Sequence, residues 1–202
     1  MINFRILVNF WAHQNPTVMK KLFIGAIVGG IIVFVWQSLS FTVLNLHGKA
    51  FQYTPKQQEI ISYLGTQFSE DGQYLLPRPP DNASSEEQKA HMESSDSKPW
   101  AMVSYHKAMK MNMPMNMIRG LLVDILAVGL LCWILLKMNL PSFSTILIAS
   151  IFTGLIVFLN VPYTAHIWYQ TFDIMAHFLD AIVSWGACGL WLGWWLNRVR
   201  VK

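Results

Sequence analysis

Asp173, His177 and Asp180 follow one another at spacings of four and three residues. On a helix that spacing stacks them along one face. Two carboxylates beside an imidazole can hold a metal ion, a proton or a polar headgroup. Another carboxylate, Asp124, stands a little over one turn past Arg119 in a separate apolar stretch. Asp124 and Asp180 each lie about seven residues into their stretch, roughly 10 Å deep at a rise of 1.5 Å per residue. Two arrangements are open. In one, Arg119 pairs with Asp124 or Asp180 and locks two helices together, because an unpaired charge in hydrocarbon is costly. In the other, Asp173, His177 and Asp180, with Asp124 and Arg119, line a pocket that opens outwards. Asn45, His47, Asn160 and His166 fall at or near the same outer boundary. There His47 and His166 serve as interfacial hydrogen-bonding groups or as further metal donors.

Met109, Met111, Met113, Met115 and Met117 alternate through MKMNMPMNM. Thioethers are soft ligands that suit Cu(I), so this run is a candidate copper site. Flexible Met side chains also fill uneven packing where a helix enters a membrane. The two cysteines, Cys132 and Cys188, sit among apolar neighbours and read as small packing residues. The sequence has no Gly-rich phosphate loop, no serine nucleophile elbow and no His-x-x-x-His zinc spacing. With no complete catalytic signature, the expectation is a protein without catalytic activity of its own.

The elements that must position these residues are apolar helices. Of 202 residues, 53% are hydrophobic and 13% charged, about half the charge of a soluble domain. Long apolar runs at this composition belong in lipid. The expected class is all-α membrane, with four transmembrane helices and a small, partly helical cap between the first two. Residues 1–18 read as an N-terminal lead, with Met19 as an alternative start. Residues 19–46 hold the first helix, taken as a retained anchor, with Gly25 and Gly29 as a small-residue step for close packing. Residues 47–116 form the polar cap. Within it, Thr54 with Gln57 and Ser84 with Glu87 read as capping boxes. Ile60, Leu64 and Phe68 share a helix face, Pro77, Pro79 and Pro80 stiffen an extended piece, and Trp100–Tyr105 alternates like a strand. Residues 117–202 hold the other three spans, about 115–136, 143–159 and 174–196. Gly189 and Gly193 on the last read as packing residues. The short connection around Pro141 makes the second and third spans expected antiparallel neighbours, and 160–173 an expected turn.

Lys20, Lys21, Lys137, Arg198, Arg200 and Lys202 flank one side of these spans, and the 160–173 connection carries no Lys or Arg. The positive-inside rule then puts both termini in the cytoplasm and the cap outside. The net charge of +4 is thus a matter of helix ends, not of nucleic-acid binding. From WQSLSFTVLNLH, GQYLLP, PWAMVSYH and MIRGLLVDIL, the chain resembles a set of uncharacterised bacterial inner-membrane proteins. The resemblance covers most of the chain from Met19 and implies four helices with a periplasmic loop after the first. The expected role is an accessory, assembly or interaction subunit in the lipid bilayer, working with other membrane subunits or a second copy. The alternative is a binding or transport protein with an outward-facing polar pocket.

Overall fold

The structure is a computed structural model that describes residues 16–138 and 141–198. Most of the N-terminal lead, part of the connection before Pro141, and Arg200 and Lys202 lie outside the described residues. In chain order the elements are α1 (Pro16–Ser38), α2 (Gln57–Gln67), β1 (Gly72–Leu76), α3 (Ser85–Ser95), β2 (Ala101–Tyr105), α4 (Met113–Lys137), α5 (Phe143–Phe158), α6 (Thr164–Trp168) and α7 (Ile174–Arg198). A π-helical turn extends α1 over Leu39–Val43, and another joins α5 to α6 over Leu159–Tyr163. The chain divides into two compact units, one of Tyr53–Met111 and one holding the residues on either side.

The second of these is helical. It has four helices long and apolar enough to cross a membrane, 16–43, 113–137, 143–168 and 174–198. Packing runs in the order α4, α1, α7, α5. The second and third spans, expected as neighbours, barely touch. A short connection fixes only that two helices run antiparallel and start close. Which faces meet is decided by where backbones can approach, and small residues decide that here. A Cβ added at Gly30 would lie 2.6 Å from the Ile125 Cα, so α1 and α4 meet backbone to backbone. At Gly154 an added Cβ would run into the Ala181 carbonyl, which joins α5 to α7 the same way. Leu22, Val33, Val128, Leu131, Cys132, Leu135, Ile146, Trp185, Cys188, Leu192 and Leu196 form one buried apolar cluster. Both cysteines are free and fully buried, as packing residues should be.

The expected turn after the third span is also corrected. The helix runs on through Pro162 to Trp168. Proline removes a backbone donor, and the widened π turn accommodates the loss. Asn160 Nδ2 donates to the Ile156 carbonyl at 3.0 Å, and Thr164 Oγ1 to the Leu159 carbonyl at 2.7 Å.

The unit Tyr53–Met111 pairs β1 with β2 in an antiparallel hairpin, Gly72 opposite Tyr105 and Leu76 opposite Ala101. The first of these strands was not foreseen. Phe68, at the end of α2, stacks on Tyr74 at 3.9 Å and meets Tyr105 at 5.5 Å. The Ser84 and Glu87 capping box forms, with both reciprocal bonds at the start of α3. The Thr54 box does not: α2 starts only at Gln57 with no side-chain cap, and Thr54 Oγ1 instead accepts from the Lys56 N–H. No residue of this unit is fully buried, as expected where the apolar area is too small for a closed core.

Candidate functional site

One end of the helical unit gathers five polar residues from α1, from the turn that follows it and from the start of α7. After the π-helical turn the chain folds back on itself. Asn45 takes φ 47°, a left-handed conformation that asparagine tolerates and most residues avoid. The Leu46 N–H then reaches the Ser40 carbonyl at 2.9 Å, and the next residue, His47, turns into the bundle. His47 is 4% exposed and belongs to the helical unit, not to the polar cap that sequence reading assigned it to. Its ring stacks on Phe41 with centroids 3.9 Å apart.

His47 lands on the face of α7 that the sequence singled out. His47 Nδ1 lies 2.7 Å from Asp173 Oδ2, and Nε2 lies 2.9 Å from Asp180 Oδ2. His177 Nε2 lies 3.4 Å from the same Asp173 oxygen. Trp36 Nε1 donates to the other Asp180 oxygen at 2.9 Å. Asp173 stands at the start of α7, where its carbonyl accepts from the N–H groups of Ala176 and His177. Carboxylates suit that end of a helix.

A carboxylate at each ring nitrogen of His47 favours the protonated ring, which can donate from both. Burial pulls its pKa down, while the hydrogen bonds and charges of Asp173 and Asp180 push it up; the net result lies above the ordinary 6.5. Asp173, His177 and Asp180 therefore do converge. Their partner is His47, which sequence reading placed nearby without pairing it. The signal it missed was the helix-ending Asn45 two residues earlier.

The expected Arg119 pair is corrected. Arg119 is exposed and makes no ion pair among the described residues. It stands within two turns of the N-terminal end of α4, where a long side chain can reach past the helix end and needs no carboxylate. Asp124, 7% exposed, instead accepts from Gln37 Nε2 at 3.3 Å, and its other oxygen has no partner among the described residues. Trp36 and Gln37 are adjacent on α1, so Asp180 and Asp124 are held on different sides of that helix.

His166 closes the turn before α7. Its Nδ1 accepts from the Thr171 N–H at 3.0 Å. The methionines are spread out. Met109 and Met111 belong to the smaller unit, while Met113, Met115 and Met117 open α4, all five exposed. Alternate residues on a helix point roughly 200° apart, so Met115 faces away from Met113 and Met117.

Among the described residues one set of ligand atoms suits a metal ion: His47 Nδ1, Asp173 Oδ2 and His177 Nε2 all lie within 4.8 Å of one another. Bonds of about 2.0–2.1 Å in a tetrahedron place ligand atoms about 3.3 Å apart. The Asp173–His177 separation of 3.4 Å already matches. The 2.7 Å between His47 and Asp173 is that of a shared proton, which an ion would displace. Asp180 then fits as the outer carboxylate that receives the remaining His47 N–H, an arrangement typical of metal-bound histidine. No protein family, curated protein or solved structure matches the chain.

Proposed function

We propose that this chain is a multi-pass membrane protein that binds a divalent transition-metal ion at the outer end of its bundle. The observation that carries this reading is the set of three ligand atoms, from the turn after α1 and from the start of α7, within 4.8 Å. His47 Nδ1, Asp173 and His177 Nε2 would be the ligands, with Asp180 and Trp36 orienting His47. Nitrogen and carboxylate donors suit Zn(II) and its neighbours in the first transition row, not Cu(I). Three protein ligands leave a fourth position open, which marks a binding or exchange site more than a closed structural one. The His177 side chain is 35% exposed, so the open position faces out of the bundle. The basic flanks Lys20, Lys21, Lys137 and Arg198 lie at the other end. Lys21 Nζ donates to the Leu196 carbonyl there, and Trp195 Nε1 to the Lys21 carbonyl. By the positive-inside rule that end is cytoplasmic. In a bacterial inner membrane the site would then face the periplasm.

A second reading has its own support. Both His47 nitrogens are satisfied at 2.7 and 2.9 Å without any ion. The cluster could then only fasten the end of α1 to the start of α7 within an accessory or assembly subunit.

Metal uptake separates the two. Protein stripped with chelator and dialysed against Zn(II) should take up one ion per chain. His177→Ala and Asp173→Asn should each lower the affinity at least tenfold. Stripped protein that takes up neither Zn(II), Co(II) nor Fe(II) leaves the fastening role alone standing.

A further inference from the structure

Asp124 stands midway along α4 with very little around it to hold a charge. Among the described residues its polar partner is Gln37, whose amide is neutral, and Oδ2 is enclosed without a donor. Its surroundings offer no counter-charge. From Leu22 to Leu46 the chain has no Lys, Arg, His, Asp or Glu, and α5 has none from Phe143 to Phe158. On α4 itself, Arg119 is exposed and Cys132 lies two turns further on. The charges of α7 are taken up around His47, with Asp180 held by His47 and Trp36.

The packing also keeps water away. The next residue, Ile125, is where the α1 backbone comes closest, at Gly30. Val128, one turn on and 0% exposed, is what a Cβ at Gly29 would meet. Hydrating a charge on Asp124 would mean parting α1 from α4. A buried carboxylate with neither water nor a cation is costly, and such a group neutralises instead. The neutral acid fits the same contacts. Its hydroxyl, on Oδ1, donates to the Gln37 amide, whose oxygen and nitrogen exchange places by a half-turn of the group. Oδ2 is then an uncharged carbonyl oxygen, for which a missing partner costs far less than for a carboxylate.

We propose that Asp124 is a proton-binding site of the bundle, its carboxyl held as the neutral acid and donating to Gln37 while α1 and α4 are packed together. Loss of the proton requires the two helices to part far enough for water to enter. Occupancy of the site is thereby tied to the contact between α1 and α4. The proposal is independent of the metal reading, since neither Asp124 nor Gln37 touches His47, Asp173 or His177 among the described residues.

Infrared absorption reads the proton directly, because the carbonyl stretch of a carboxylic acid lies apart from the bands of carboxylate and amide. At about pH 6 exposed carboxylates are ionised and do not contribute. Wild type should then show a protonated-carboxyl band that shifts in heavy water and is lost in Asp124→Asn. Asp124→Asn should melt no lower than wild type, because an amide keeps the bond to Gln37 without a charge. Gln37→Leu leaves Asp124 in place and should move the band to higher frequency, the hydroxyl having lost its acceptor. That variant decides the matter if Asp124→Asn does not fold. A wild type without the band, a band that survives Asp124→Asn, or one that Gln37→Leu leaves unmoved each overturns the proposal.

Discussion

His47 carries more of this molecule than any other ionisable residue. Its side chain is 3% exposed, with Asp173 and Asp180 at 8% and 15%. Removing it would strand two carboxylates, and breaking a buried pair costs about 3–5 kcal/mol. His47→Phe should therefore lower stability in detergent by that order, while Arg119→Leu, on an exposed side chain, should stay within about 0.5 kcal/mol. Thermal unfolding of the two variants beside wild type checks this, and an equal loss in both would return Arg119 to the site. The raised His47 pKa adds a pH dependence. Its ion pairs are fully present below the unfolded value of 6.5 and are lost as pH rises through the higher folded value. Chelator-treated wild type should accordingly lose stability as pH rises above 6.5, and His47→Gln should lose less of it. A flat profile in wild type means that His47 is not charged in the fold. The triplet on α7 was legible in the sequence because one helix carries all of it at helical spacing. His47 was not, because it reaches that face through a chain reversal. No local pattern states where a reversed segment will dock.

Among the elements, two kinds of glycine can be told apart. Gly30 sits where an added Cβ would meet the Ile125 backbone, while at Gly186 it would meet nothing within 4 Å. Overpacking against a backbone costs about 1–3 kcal/mol, and relief of glycine in a helix gains up to about 1 kcal/mol. Gly30→Ala should destabilise the bundle and Gly186→Ala should be neutral or mildly stabilising, which paired melting curves in detergent decide. The same melt for both variants would mean that α1 and α4 do not meet as closely as described. The smaller unit offers a titratable counterpart in Glu87. Its backbone bond with Ser84, then its side-chain bond, holds its pKa below the ordinary 4.5. That contribution is present above 4.5 and is lost as pH falls through the lower folded value. Amide exchange at the start of α3 should speed up on acidification in wild type and be insensitive to pH, beyond its intrinsic rate, in Glu87→Gln. The four long helices were legible because length and hydropathy state them directly. Their packing order was not, because chain proximity at the ends of α4 and α5 suggested a contact that the small-residue faces of α1 and α7 redirected.

At the scale of the helical unit, the antiparallel pairs α1 with α4, α1 with α7 and α5 with α7 put Lys20, Lys21, Lys137 and Arg198 at one end and the His47 cluster at the other. Membrane potential and anionic lipid on the cytoplasmic leaflet both favour cations on that side. On the proposed reading the cluster and its half-buried His177 would then face the outer side, where a metal ion would arrive without crossing the bilayer. This orientation can be tested without any metal. Cys132 and Cys188 are both 0% exposed, so native thiols should give little labelling in intact cells. Lys49 and Met138 are exposed near opposite ends of the bundle. In intact cells with a permeabilised outer membrane, an impermeant maleimide should label Lys49→Cys and spare Met138→Cys; in inverted inner-membrane vesicles the pattern should exchange. Labelling of both from one side would break the four-span arrangement. The reversed pattern would keep the helices but turn the His47 cluster to the cytoplasm, where the ion it meets is drawn from a buffered pool and exchange with the exterior is lost.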